Sequence, residues 1–330
     1  MKTVVAGAGA LGSILGGYFA QVGADVTLIA RKPHVEAIRA RGLLIDARRG
    51  PQVVRNLRAV VDPAEAGSAD LLIMCVKSQD NQKALASLRH LRGKIGAAIS
   101  LQNGGRKDEE LAEAFGREAV VGATTIVGAS MREPGHVLYT NDGGTWIGEF
   151  GGQRSSRVVA IAELFRKAEL PIEVCADIRT AIWCKLNQMV PAATLSCVTR
   201  LFVHQMYLDR ELATLFVEVS REVAQVAERL GIPLADFPGF AVKTVCSLPF
   251  EEAVESVIAR GRAMQEQGMT QVKISTLQDL ERGKHTEADQ VIGHVVRLAA
   301  DLGVALPKLG LLYRVIRGIE AAQQRSGLSA

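Results

Sequence analysis

The sequence predicts an α/β fold, a doubly wound sheet of parallel strands followed by an all-helical C-terminal domain. Three observations predict it. A strand, a glycine-rich turn, a helix and a second strand follow one another within the first thirty residues. Continuous apolar runs then alternate with helical stretches as far as Asp177. Beyond that point strand patterns vanish, and apolar residues recur at helical spacing. The expected domains are therefore residues 1–177 and 178–330.

Lys2 to Ala6 reads as a buried strand, and a helical run extends from the turn to about Val22. Val26 to Ala30 reads as the second strand. Between the first strand and the helix stand Gly7, Ala8, Gly9, Ala10, Leu11 and Gly12, a G-x-G-x-x-G in the context a Rossmann-type dinucleotide site requires. Gly7 allows the tight turn, Gly9 lets backbone approach a pyrophosphate, and Gly12 lets helix pack on strand. Ala10 and Leu11 open the helix, whose N-terminal N–H groups carry partial positive charge. The bland alternative is a glycine-rich turn in an ordinary α/β protein. Lys2 and the apolar run mimic a signal peptide, but glycines at 7, 9, 12, 16 and 17 interrupt the run, so it reads as mature structure.

An NAD site usually ends its second strand with an acid for the ribose 2′-hydroxyl. This strand ends Ile29-Ala30-Arg31-Lys32, and the nearby acid, Asp25, stands at its start. Cations at that end suit a 2′-phosphate, with Arg31 as a bidentate partner, and predict NADP(H) over NAD(H). The competing reading is a solvated turn.

The chain has 330 residues, 48% of them apolar, and a net charge of +4. That length suits two domains, and that charge makes no case for nucleic acid. No apolar run reaches membrane-spanning length. Cys75, Cys175, Cys184, Cys197 and Cys246 are scattered, which fits reduced thiols in a cytoplasmic protein. The six histidines show no metal-ligand spacing, so no metal is expected.

Leu43–Asp46 and Leu57–Val61 read as short strands, Asp70–Val76, Ala97–Leu101 and Ala119–Thr125 as longer ones. Their continuous apolar character suits a parallel sheet covered on both faces. Gly7, Lys77 and Asn103 fall at expected carboxyl ends, where such sheets bind ligands. His136–Tyr139 and Thr145–Ile147, around Asn141-Asp142-Gly143-Gly144, read as a hairpin. Ile172–Cys175 reads as a last strand. Leu212, Leu215, Phe216, Val219, Val223, Val226 and Leu230 then form a helical stripe stopped by Gly231 and Pro233. A later stripe, Val291, Ile292, Val295, Val296, Ala299 and Leu302, is expected to start at a Thr286 cap, with Asp289 as a short-armed capping-box partner, and to end at Gly303. A helical domain after a dinucleotide domain suggests a substrate cleft between them.

The chain resembles the ketopantoate reductase family, the NADPH-dependent 2-dehydropantoate 2-reductases, over nearly its whole length. The likeness rests on Gly7 to Gly12, Val76-Lys77-Ser78-Gln79, Leu101-Gln102-Asn103-Gly104, Trp183-Cys184-Lys185-Leu186, Ser275-Thr276-Leu277-Gln278-Asp279-Leu280 and His285-Thr286-Glu287. The resemblance implies that Lys185 is the general acid that protonates a ketone oxygen as hydride arrives. It implies that Glu287 is the carboxylate near that lysine and near the cofactor, and that Ser275 binds a substrate carboxylate. Lys77 and Asn103 would lie near the nicotinamide end, with Asn103 also near the substrate. On the residues alone, Lys185 also reads as a lysine snorkelling from an amphipathic helix, and Glu287 as a first-turn helix acid.

One departure bears on substrate. The family places asparagines four, eight and eighteen residues after the lysine, and here those substrate positions hold Met189, Ala193 and Val203. Asn187 is two residues on, which points it away from Lys185 in a regular helix unless Pro191 kinks it toward the cleft. A site without those amides should prefer a less polar substrate. Three readings follow: an NADPH-dependent reductase of an altered 2-oxo acid or related ketone, a true ketopantoate reductase of pantothenate biosynthesis with Asn187 supplying the amide, and a non-catalytic NADP-binding sensor. The expected partner is a small carbonyl compound, with neither nucleic acid nor membrane. A homodimer through the helical domain is compatible with the layout.

Overall fold

The computed structural model describes residues 1–47 and 50–325. The first apolar runs form β1 (Lys2–Ala6), α1 (Ala10–Gln21), β2 (Asp25–Ile29) and α2 (Lys32–Arg41). β3 (Leu43–Ala47) and β4 (Gly50–Val54) follow, then β5 (Arg58–Val60), β6 (Ala69–Met74), α3 (Asn81–Ser87), β7 (Ile95–Ser100) and α4 (Lys107–Phe115). Strands order as β5-β2-β1-β6-β7, and each of these pairings is parallel. The strands are buried on both faces, as their unbroken apolar runs require. Val5, Leu28, Leu71, Ile73 and Ile99 face one core, while Val4, Ile29, Leu72, Met74 and Ala98 face the other.

Register aligns the strand ends. Ala6 pairs with both Ile29 and Met74, and Met74 with Ser100. The turns after β1, β2, β6 and β7 therefore leave one edge of the sheet, the carboxyl edge expected for ligand binding.

Next come β8 (Gly122–Thr125), β9 (Gly128–Glu133), β10 (His136–Asn141), β11 (Thr145–Gly148), α5 (Ser156–Lys167) and β12 (Ile172–Val174). The expected strand from Ala119 begins instead as a 3-10 turn, Arg117–Ala119. The hairpin expected between His136–Tyr139 and Thr145–Ile147 does not form. β10 pairs antiparallel with β9, and the turn between them holds Pro134 and Gly135, with Gly135 at φ +81°. β11 pairs antiparallel with β8 and parallel with β12, in a different sheet. Asn141–Gly144 thus carries the chain from one sheet to another. β4, β3, β10 and β9 form the second sheet. Sequence patterning missed β4 because Pro51 and alternating exposure mark an edge strand, not a core one.

The remaining chain is helical: α6 (Ile178–Thr199), α7 (Val203–Leu208), α8 (Arg210–Arg229), then the two-residue strands β13 (Asp236–Phe237) and β14 (Phe240–Ala241), α9 (Val242–Ser247), α10 (Phe250–Glu266), α11 (Ser275–Glu281), α12 (His294–Asp301) and α13 (Pro307–Arg325). The small β13–β14 pair breaks the expectation of purely helical structure. Two compact units result, Met1–Gln102 with Arg106–Arg179, and Asn103–Gly105 with Thr180–Ala330. In the second, Val219, Val223 and Val226 of α8 join Val190, Ala193, Val291 and Val295 in one core cluster.

The stripe from Val291 is not one α-helix. Asp289–Gly293 is a π turn leading into α12. Thr286 accepts from the Ala288 N–H, but Asp289 does not close a capping box. Its carboxylate accepts from Tyr313 and Arg297. A Cβ on Gly293 would stand 2.6 Å from Tyr313 Oη and 2.9 Å from Asp289 Oδ1, so this glycine makes room for the clamp.

A buried acid joins two helices here. Glu222 of α8 accepts from the N–H groups of Lys308 and Leu309 at 3.0 and 2.9 Å, in the first turn of α13. It satisfies two donors that a helix start leaves unpaired, and its charge suits the helix dipole. Glu222→Leu is expected to lower stability by about 2 kcal/mol, through one buried and one part-buried donor left unpaired. Chemical denaturation with an unchanged m-value checks it.

Candidate active site

The turn after β1 is shaped by contact. Gly7 takes φ +83°, and a Cβ there would lie 2.4 Å from Val76 Cγ1 and 2.5 Å from Val76 N. The N–H groups of Gly7 and Ala8 both donate to Ile29 O, at 3.1 and 2.9 Å, which ties the turn to the end of β2. Gly12 packs on β1, where an added Cβ would meet Val5 Cγ1 at 2.9 Å. Gly9 differs: it is exposed, and nothing lies nearer to its Cβ position than Gly7 O at 4.0 Å. No side chain caps α1, and its first turn holds no acid. Ala10, Leu11 and Gly12 therefore present helix-start N–H groups beside an open glycine. These features fit a dinucleotide pyrophosphate, which needs close backbone approach and positive potential.

Arg31 follows β2 and caps α2 through its backbone, with its side chain 91% exposed and 3.8 Å from Asp80. A pair this exposed and this long is weak, so the guanidinium is at little energetic disadvantage in meeting another anion. Asp25 pairs in register with Lys2, at the opposite end of the strand. Lys77 stands three residues after β6, at the N-cap of the 3-10 turn Ser78–Asp80.

In the helical unit, Lys185 of α6 donates from Nζ to Asn103 Oδ1 at 2.9 Å. These residues lie 82 positions apart in sequence, yet meet as an ammonium–amide pair. The turn carrying Asn103 is seated by a histidine. A Cβ on Gly105 would be 2.0 Å from His294 Cδ2, so the ring at the start of α12 occupies the room that glycine leaves. Nothing in the sequence marked this pairing, since it depends on the π turn that sets where α12 begins.

α6 exposes part of one face. Ile182, Lys185 and Met189 are partly accessible at helical spacing, whereas Ala193 is 1% exposed within the core of the helical unit. Met189 itself packs against that core. Val203, the third departure, is buried at the start of α7. Asn187 is buried too, and its Nδ2 donates to Ser220 O of α8 at 2.9 Å, while its Oδ1 is buried without a hydrogen-bond partner. The swing of Asn187 toward a substrate is thereby corrected: α6 runs through Pro191 as one helix, and the amide serves α6–α8 packing. Ser275 is exposed as the first residue of α11, and Glu287 is buried, 4% exposed, just before the π turn.

Burial pushes the thiols of Cys75, Cys175 and Cys197 up to about 12, and Cys246 to about 11, so they stay protonated at neutral pH. Among the described residues, no three His, Cys, Asp or Glu side chains group as metal ligands, and no helix is long and apolar enough to cross a membrane.

The family model described as "Ketopantoate reductase PanE/ApbA" matches residues 3–152, and its C-terminal counterpart matches residues 177–320. The chain is 32% identical to a 2-dehydropantoate 2-reductase of Pyrococcus abyssi, over 98% of this chain and 99% of that one. It is also 32% identical to a crystallised PanE/ApbA family ketopantoate reductase of Ralstonia eutropha, with a TM-score of 0.83 over 98% and 100% of the two chains. At 22% identity, a D-mandelate dehydrogenase structure with NADH and anilino(oxo)acetate shares the fold, with a TM-score of 0.85 over 98% and 100%.

Gly7→Ala is expected to destabilise the nucleotide-type unit by about 2–4 kcal/mol, from positive φ and the clash with Val76 together. A thermal melt checks it. Gly9→Ala, by contrast, should melt within a few degrees of the parent while weakening dinucleotide binding.

Proposed function

The chain belongs to the ketopantoate reductase family, and from that premise we propose that it reduces a 2-oxo acid or related ketone to the 2-hydroxy compound at the expense of NADPH. The observation that carries this reading is the Lys185 Nζ–Asn103 Oδ1 hydrogen bond at 2.9 Å, which aims an ammonium from an accessible helix face. When bound, the nicotinamide supplies the hydride.

The chain's residues supply the rest. As a ketone carbon gains hydride, negative charge builds on its oxygen. The Lys185 ammonium stabilises that charge and then gives up a proton to it. Asn103 holds the ammonium in direction, so little reorientation is needed at the reacting moment. Glu287 is the carboxylate assigned to keep the lysine charged, and Ser275 the hydroxyl assigned to the substrate carboxylate. Gly7, Gly9, Ala10, Leu11 and Gly12 are assigned to the pyrophosphate, with Lys77 toward the nicotinamide end. The exposed Arg31 at the end of β2, with Asp25 at the other end, supports a 2′-phosphate and hence NADP(H).

Substrate choice follows α6. Met189 shares the accessible face with Lys185, Ala193 is in the core, and Asn187 is engaged by Ser220. An apolar or larger 2-oxo acid suits such a wall better than a hydroxylated one. The names of the relatives favour a second reading, ketopantoate itself as substrate in pantothenate biosynthesis. Chemistry on a small carbonyl compound, and five scattered cysteines with no disulfide-type spacing, support residence in the cytoplasm.

Steady-state NADPH oxidation across a panel of 2-oxo acids tests both readings. The expected result is higher kcat/KM for apolar 2-oxo acids than for ketopantoate. Efficiency on ketopantoate in the ordinary enzyme range, about 10,000 M⁻¹s⁻¹ or more, would select the second reading. Lys185→Ala is expected to lower kcat roughly 100- to 10,000-fold while NADPH binding survives. NADPH bound tightly by a parent protein that turns over no carbonyl would reject catalysis altogether.

A further inference from the structure

A buried chain of hydrogen bonds lies beneath the glycine turn. Ser13, fully buried in α1, donates its hydroxyl to Ala8 O at 3.3 Å. Its oxygen is 2.9 Å from Nε2 of His34, which is buried in α2. Across the ring, the Gly135 N–H donates to His34 Nδ1 at 2.9 Å. A nitrogen that accepts a backbone N–H carries no hydrogen, so the ring proton sits on Nε2 and points at Ser13 Oγ. Each donor then meets an acceptor, and only a neutral ring allows it.

Both ends of this chain are fixed. Gly135 takes φ +81°, its carbonyl accepts from Leu44 N at 2.9 Å, and a Cβ there would lie 2.8 Å from Ala37 Cβ. At the other end, Ala8 C=O and Gly9 N–H belong to one peptide plane. Ser13 holds the carbonyl, and Gly7 O accepts from the N–H at 2.7 Å. That plane decides how the turn faces an incoming phosphate.

We propose that His34 is a positioning residue for the dinucleotide pyrophosphate, fixing the Ala8–Gly9 peptide through Ser13 only while its imidazole is neutral. The proposal rests on the reading that the Gly7–Gly12 turn binds the cofactor. Protonation would set the Nδ1–H against the Gly135 N–H and break the chain at that point. Burial holds the imidazole below its ordinary pKa, so the ring is neutral at physiological pH. α2 and its cap carry Arg31, Lys32, Glu36, Arg39 and Arg41, the last held by Glu133 and the Pro134 carbonyl at the β9–β10 turn, and Asp46 of β3 meets His136, the residue after Gly135. The two nitrogens of His34 are engaged by a hydroxyl and an amide, so no carboxylate favours the imidazolium at either.

Fluorescence titration of NADPH and NADH into the full-length chain, from about pH 4.5, below the ordinary imidazole range, to about pH 8, tests the proposal on the parent, His34→Leu, His34→Gln and Ser13→Ala. At the alkaline end, His34→Leu and Ser13→Ala should weaken binding of both dinucleotides about tenfold, and His34→Leu, which orphans the Gly135 N–H, should also melt below the parent while His34→Gln melts nearer to it. His34→Gln, which offers an acceptor and a donor but does not titrate, should restore most of the affinity that His34→Leu loses. It should also flatten the parent's loss of affinity toward acid pH. NADH is the control, because the 2′-phosphate of NADPH is expected to titrate near pH 6, like other phosphate monoesters. Should Ser13→Ala bind as tightly as the parent, or His34→Gln keep the parent's pH profile, the proposal is overturned. Should His34→Leu fail to fold, Ser13→Ala and His34→Gln still decide it. A parent that binds neither dinucleotide would instead overturn the cofactor reading beneath it.

Discussion

The tight passage of the first turn beneath the end of β6 constrains the rest of this structure. Gly7 and the backbone of Val76 are so close that a methyl group between them has no room. That contact sets where β1 ends relative to β6, and Ile29 O, accepting from Gly7 and Ala8, sets it relative to β2. With those strand ends level, the loops that follow them share one edge of the sheet. A side chain at position 7 would separate strands that are otherwise buried on both faces, where packing has little slack.

Much of the sheet was legible because its signals are local. Unbroken apolar runs mark β1, β2, β6 and β7, and a glycine pattern marks the turn. What was illegible depends on distant partners. His136–Tyr139 looks like half of a hairpin with Thr145–Ile147, since both are short, apolar and separated by turn residues. β10 in fact completes its pairing on β9 and β3, so Asn141–Gly144 crosses between sheets. The π turn at Asp289–Gly293 was likewise hidden, and the partners of its first carboxylate, Tyr313 and Arg297, lie beyond the segment.

The candidate site divides in the same way. The glycine turn and the cation at position 31 announce themselves through residue type and position. Lys185 did not, on spacing alone, since a lysine on an amphipathic helix has an ordinary explanation. Its amide partner in the folded chain gives it a direction. The polar residues of α6 show why composition misleads here: Asn187 has the right chemistry for a substrate but is consumed by Ser220, while Met189 holds the accessible position. A buried amide with one unmatched oxygen is also a site of residual frustration, which α6 tolerates beside a proline that donates no N–H.

Asn103–Gly105 clusters with the helices, although the chain on either side of it belongs to the sheet. The polypeptide therefore passes between its two compact units at Gln102–Asn103, Gly105–Arg106 and Arg179–Thr180. No single break in the backbone can part them into self-sufficient pieces. A fragment that began at Thr180 would carry the lysine without the amide that orients it.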